Sequence, residues 1–496
     1  MIKKIVIGLI VSQFSYAASC ELVDNQGLDP YEMGGKKLSV FWSQEYAGTD
    51  LVREEMKLID SGNDVDFAIY DSGFEKEYIN LKSEIDVDIK YSGRGKLTGH
   101  HGTSVANIIN GKAPYGVSDR VNYIALKNVK LTSTYRQEFK KYEEANSYPK
   151  IISNSYGWSK SQDIKDISLR ADELGILWFL AAGNDYPMAI TDVEDTSGTI
   201  LIGSYAPSGL QSSFSQVSKN VAVLAPADDM QATIDGKGLH SEFGGTSGAT
   251  PLVSGTAANI VSLLPMIDRT EVIKLLKISS LKSYEQAHNI ENNPGLFNAY
   301  KAVHIARKIS LICETLECIR VELDNEDNRI FEAIETDLSV SEILSDESDC
   351  SKRKKALKNI RRNSLLLNSK SSWTKLKTIY EALGYSKNAE FYENMAQDFT
   401  PSKELKKRME DNAIALLKQD RYFDSYMRYQ ESFGYKYQFA VASLLVNDTS
   451  LSGYWLSEYL MRFKDNLDQR VEDYLKASLK FASEDVKQDI LSVIYR

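Results

Sequence analysis

Apolar and polar positions follow two regimes along the chain. From Asp66 to about residue 300, short apolar runs alternate with amphipathic stretches. Residues 65–71, 121–126, 150–155, 199–202 and 221–224 predict strands, 135–145 predicts a charged helix, and 163–174 predicts an amphipathic helix closed by Gly175. Residues 176–181 are continuously apolar, as a parallel strand buried on both faces requires. Apolar helical periodicity runs through Leu252, Val253, Ala257, Ile260, Val261 and Leu264. This rhythm predicts an α/β fold with a doubly wound, mostly parallel sheet. Beyond about Ser310 glycine becomes scarce and helical periodicity continues to Arg496, which predicts an all-α C-terminal domain over 310–496. Leu383 and Leu417, and Tyr392 and Tyr426, recur at a spacing of 34, so tetratricopeptide-like helix pairs compete with an ordinary bundle whose aromatic stripe is core.

In such sheets the site lies at the carboxyl ends of the strands. Asp71, Ser155 and Asn184 fall at or just past predicted strand ends. Ser247 follows a glycine pair and opens an apolar helix, where backbone N–H groups lack intrahelical partners and a developing anion is favoured. Taken alone, Ser247 is equally readable as a helix N-cap. Pro251 is expected in or near the first turn, where its missing N–H costs little.

Three motifs resolve the ambiguity. Asp71-Ser72-Gly73 ends a short apolar strand, His101-Gly102-Thr103 opens a helix, and Gly245-Thr246-Ser247-Gly248-Ala249-Thr250-Pro251 opens another. Asp, His and Ser in this order match one of the chain orders of the hydrolytic triad. With Ala181-Ala182-Gly183-Asn184 as a fourth element, the chain resembles the subtilisin-like serine peptidases (subtilases). The resemblance implies Ser247 as nucleophile, His101 as base, Asp71 as the group that orients it, and Asn184 as oxyanion donor. It further implies that Ser155, Tyr156 and Gly157, with Ala182 and Gly183 opposite, line an extended substrate. His100 is the adjacent rival base, but the family places the base directly before Gly-Thr. Ser104 and Asn107 replace the usual His and Gly of the histidine helix, and Gly248 and Leu252 the usual Met and His, which bears on packing and pocket shape rather than on the triad.

The ends and the composition narrow the setting. With 496 residues, more than one domain is expected: a signal peptide over 1–19, an N-terminal segment over 20–60, a peptidase domain over 61–309 and the helical domain. Lys3 and Lys4, an apolar stretch over 5–14 and small residues before Cys20 read as an export signal. Ala17-Ala18-Ser19-Cys20 also resembles an imperfect lipobox, so a periplasmic or secreted protein and a lipoprotein anchored through Cys20 are both open. The segment 20–60 is polar and mixed, with a helix expected over 49–59, and it is too short to form unaided the folded prodomain the family carries. The four cysteines, Cys20, Cys313, Cys318 and Cys350, lie outside the catalytic region and allow three pairings. A net charge of −10 argues against a nucleic-acid partner. No cofactor is expected, and although calcium is common in the family no loop here is assignable to it. The expected partner is a protein or peptide substrate, with a further protein partner open for the helical domain. An exported endopeptidase working through an acyl-enzyme leads; a subtilase-type transpeptidase and a non-catalytic binding protein keeping the fold are the alternatives.

Overall fold

The computed structural model describes residues 20–399 except 26–27, 34, 60–63, 75–80, 83, 89–99, 113–115, 129–131, 156–160, 185–189, 191, 196, 213, 217, 229, 234–239, 288–293, 326–330 and 346–348. The predicted leader and all but isolated positions from 400 onward lie outside the described residues, as do Leu417 and Tyr426.

Among the described residues, eight strands form the central sheet: Val65–Asp71 (β1), Glu84–Asp88 (β2), Val121–Asn128 (β3), Ile151–Asn154 (β4), Leu177–Ala181 (β5), Thr199–Tyr205 (β6), Val221–Pro226 (β7) and Gly295–Leu296 (β8). Their order is β8-β7-β6-β5-β4-β1-β3-β2, and every neighbouring pair is parallel. The two-residue alternation of side chains divides β1 between two cores. Phe67 and Ile69 join the core built with helices His100–Asn110 and Gly245–Leu263, while Ala68 and Tyr70 join the one built with Thr132–Ala145 and Gln162–Glu173. β1 lies between β3 and β4, so the direction of strand addition reverses between β1 and β4. A crevice opens at such a switch point, beyond the carboxyl ends of the strands.

Helix Gly245–Leu263 begins two residues before Ser247, with Gly244 as its cap, so Ser247 is not an N-cap. Pro251 therefore sits inside the helix rather than in its first turn, and its missing N–H leaves the Ser247 carbonyl without its usual donor. The segment before β1, expected to be polar, holds a hairpin (Tyr31–Met33 with Lys36–Leu38) and two short helices, Trp42–Ala47 and Thr49–Met56. Trp42, Tyr46, Leu51 and Val52 from it are buried in the main core. The C-terminal part contributes helices Leu316–Asp324, Val340–Leu344, Cys350–Leu367, Lys370–Ala382 and Ser386–Ala396, and Tyr392 is buried as core. The cysteines pair as Cys20–Cys350 and Cys313–Cys318. Among the described residues no helix is long and apolar enough to cross a membrane.

Candidate active site

Asp71 is the last residue of β1 and is fully buried. An isolated buried carboxylate would be costly, so its partners matter. The Ser72 backbone N–H donates to Asp71 Oδ1 at 2.6 Å, and His101 Nδ1 lies 2.8 Å from Oδ1 and 3.0 Å from Oδ2. With its Nδ1 proton directed at the carboxylate, the neutral imidazole keeps Nε2 as its free acceptor. Burial disfavours the charged ring, but the Asp71 charge and hydrogen bond outweigh it and hold the His101 pKa above its ordinary value. Phe243 meets the His101 ring edge to face at 5.2 Å between centroids, limiting its tilt. Gly102 makes this approach possible: a Cβ there would stand 2.3 Å from the Gly73 carbonyl oxygen and 2.8 Å from the Phe74 ring.

Ser155 lies one residue beyond β4, and because Tyr70 pairs with Asn154 it stands level with Asp71 on the neighbouring strand. Its carbonyl accepts the Ser247 hydroxyl at 2.9 Å. Among the described residues no hydrogen bond joins Ser247 Oγ to His101. The two groups are nevertheless tied to neighbouring strand ends, His101 through Asp71 and Ser247 through the Ser155 carbonyl, and catalytic hydrogen bonds are commonly loose before substrate binds.

Asn184, three residues past β5, is exposed. Its Oδ1 accepts from the Thr246 backbone N–H and from Thr246 Oγ1, both at 2.9 Å. The backbone donor fixes the oxygen's side of the amide, so Nδ2 is the end left to donate elsewhere. Thr246 Oγ1 also accepts from the Gly183 N–H at 3.1 Å and so fastens the Gly183–Asn184 turn to the start of the serine helix. Gly245 adopts φ +73, which favours glycine, and a Cβ there would stand 2.9 Å from Asn184 Nδ2. The Ser247 N–H, in the first helical turn, has no intrahelical acceptor by position.

Of the residues singled out from sequence, Asp71, His101, Ser155, Ala182, Gly183, Asn184 and Ser247 all lie at the carboxyl end of the sheet or at the start of the two helices beside it. Tyr156 and Gly157 lie outside the described residues, and the side chain of the rival His100 is not among those described. Sequence reasoning missed the anchoring roles of Thr246 and Ser72 and the packing of Phe243. Thr246 and Ser72 stand inside the motifs and Phe243 directly ahead of the glycine pair, which was the available signal. Among the described residues no group of three or more His, Cys, Asp or Glu could hold a metal ion.

Known proteins are similar in sequence over this region. The sequence profile of the subtilase family matches residues 62–300. "Subtilisin-like protease 2" of Arthroderma otae is 32% identical over 208 residues, covering 37% of this chain and 49% of its own. Subtilisin NAT of Bacillus subtilis subsp. natto is 27% identical over 226 residues, covering 43% of this chain and 59% of its own. Among solved structures, a cold adapted subtilisin-like serine proteinase aligns with 48% of this chain and 90% of its own at 22% identity and a TM-score of 0.40. The chain spans about half the length of the curated relatives it matches. Over residues 62–300, just under half of its length, this chain is similar to the subtilase family.

Proposed function

We propose that the protein is an exported serine endopeptidase acting through Asp71, His101 and Ser247. The observation that carries the reading is the buried Asp71 carboxylate bridging both its oxygens to His101 Nδ1, at 2.8 and 3.0 Å, one strand away from the carbonyl that holds Ser247 Oγ. In this mechanism Ser247 Oγ leaves Ser155 for His101 Nε2 by rotation about its Cα–Cβ bond between staggered positions. His101 then accepts the hydroxyl proton as Oγ attacks the carbonyl carbon, and Asp71 stabilises the imidazolium without itself being protonated. The tetrahedral oxyanion is met by Asn184 Nδ2 and the Ser247 N–H; one such donor contributes roughly 10²–10³ in turnover. Collapse expels the amine, which takes the proton from His101, and water repeats the sequence on the acyl-enzyme. The substrate chain lies extended along Ser155, Tyr156 and Gly157 on one side and Ala182 and Gly183 on the other, adding a strand through main-chain hydrogen bonds.

Export is supported by the basic and apolar leader pattern and by two disulfides, which persist in oxidising compartments. A Cys20 sulfur engaged with Cys350 is not free for thioether lipidation, which favours a periplasmic or secreted protein over an anchored one. Digestion of a denatured protein mixture, with products read by mass spectrometry, tests the reading. New internal termini carrying free carboxylates are expected for the wild type and not for Ser247→Ala. Products joined to added amines would point to transpeptidation, and an unchanged mixture would contradict the enzyme.

A further inference from the structure

The segment ahead of β1 is built into the molecule from both sides. Asp50 receives both arms of the Arg361 guanidinium, at 2.7 and 2.8 Å, and Arg361 also donates to the Glu45 carbonyl at 2.9 Å. Glu54 holds Lys358 and Arg362. Helix Cys350–Leu367 supplies these cations and carries seven basic residues and no acidic one. The two surfaces are thus complementary in charge. Ser39 and Asn388 exchange hydrogen bonds at 2.9 and 2.8 Å, and Asn25 donates to the Tyr385 hydroxyl at 2.6 Å.

The apolar contact is as specific. Tyr46 stacks on Phe391 at 3.8 Å, and Phe391 in turn lies parallel to Tyr205, the last residue of β6, at 6.3 Å. Asn394 donates to the Ser208 carbonyl at 2.8 Å in the turn that follows β6. Asn298, which caps the helix closing the peptidase domain, donates to the Leu365 carbonyl at 2.8 Å. Cys20–Cys350 closes the arrangement covalently.

A removable propeptide must leave behind a surface that water accepts. Removal of this segment would uncover the faces of Phe391 and Tyr392 and strip Arg361, now only 6% exposed, of its carboxylate. We infer that residues 20–56 are a permanent strap of the mature protein rather than a removable propeptide, and that the helices between Cys350 and Ala396 form the surface that locks the strap to the catalytic core. The C-terminal helices then serve the fold of the core in cis, and they reach the end of the sheet where Asp71 and Asn184 lie.

The purified full-length protein decides this through its mass under reducing conditions and its melting temperature beside that of Arg361→Met. The expected result is a reduced polypeptide that retains residues 20–56, with Arg361→Met melting several degrees lower and cut first by added protease within 20–56. If Arg361→Met does not fold, Arg361→Lys, which keeps the charge but loses the two-armed contact, is expected to show a smaller drop. A folded protein that after reduction begins beyond residue 56, or Arg361 variants that melt like the wild type with the strap still protected, would overturn the inference. The melting temperatures and the site cut first by added protease do not depend on the protein's own activity, so lower-melting, strap-cut Arg361 variants of a protein that proves inert would contradict the proposed function alone.

Discussion

His101 is subject to two opposed influences. Burial favours the neutral ring, whereas the Asp71 charge and hydrogen bond favour the imidazolium, and the balance raises its pKa from the ordinary value of about 6.5. Because folding raises this pKa, the pair's contribution to stability is complete below about pH 6.5 and is lost as pH rises through the higher folded-state value. The neutral base needed for attack accumulates over that same window. The acid limb of kcat/KM is therefore expected above the ordinary histidine range. In Asp71→Asn the burial effect remains without the carboxylate, so the limb should move to lower pH while kcat falls by roughly 10⁴, the loss typical of that change in serine triads. A pH-rate profile unmoved by Asp71→Asn would contradict the assignment. At this scale the sequence was most legible, because the chemistry demands Asp71, His101 and Ser247 at strand ends and helix starts. Thr246 was less so: a hydroxyl that joins two turns is visible only once both turns are placed.

Helix Gly245–Leu263 shows how an element absorbs a departure from the family pattern. Gly248 stands where the family usually has Met, and the space is filled by Met230, whose Sδ lies 2.8 Å from where a Gly248 Cβ would be. Met230 itself is buried and belongs to the hairpin Met230–Thr233 with His240–Phe243, which pairs ahead of the serine helix. Gly248→Met is expected to destabilise by about 1–3 kcal/mol through overpacking. Met230→Ala should cost about 2–5 kcal/mol through the cavity it leaves. In the double variant the new side chain replaces the lost one, so urea denaturation should show a loss smaller than the sum by about 1–3 kcal/mol. Additive losses would mean that the two positions do not share the space. Elements with a strong period, such as β5 and helix Gln162–Glu173, were readable within a residue or two. The hairpin at Tyr31–Leu38 and helix Trp42–Ala47 were not, because each is too short to show a period and is held by contacts with residues more than 300 positions away, Lys36 with Glu390 and Glu45 with Arg361.

Across the whole molecule, the parallel sheet sets the site and the two chain ends brace it. The reversal between β1 and β4 places Asp71 level with Ser155, and the serine helix completes the group from a position 176 residues further on. The α/β order and the site's place at the strand ends were legible from alternation alone. The bracing was not, because no local pattern in 20–60 or 350–396 signals that Asp50 meets Arg361 or that Cys20 meets Cys350. In the proposed mechanism this frame activates one serine. Labelling of the intact native protein with a fluorophosphonate, followed by mapping of the modified peptide by mass spectrometry, tests it most directly. A single adduct on Ser247 is expected, absent from Ser247→Ala and from protein unfolded before labelling. An adduct on another residue, or equal labelling of wild type and Ser247→Ala, would contradict it.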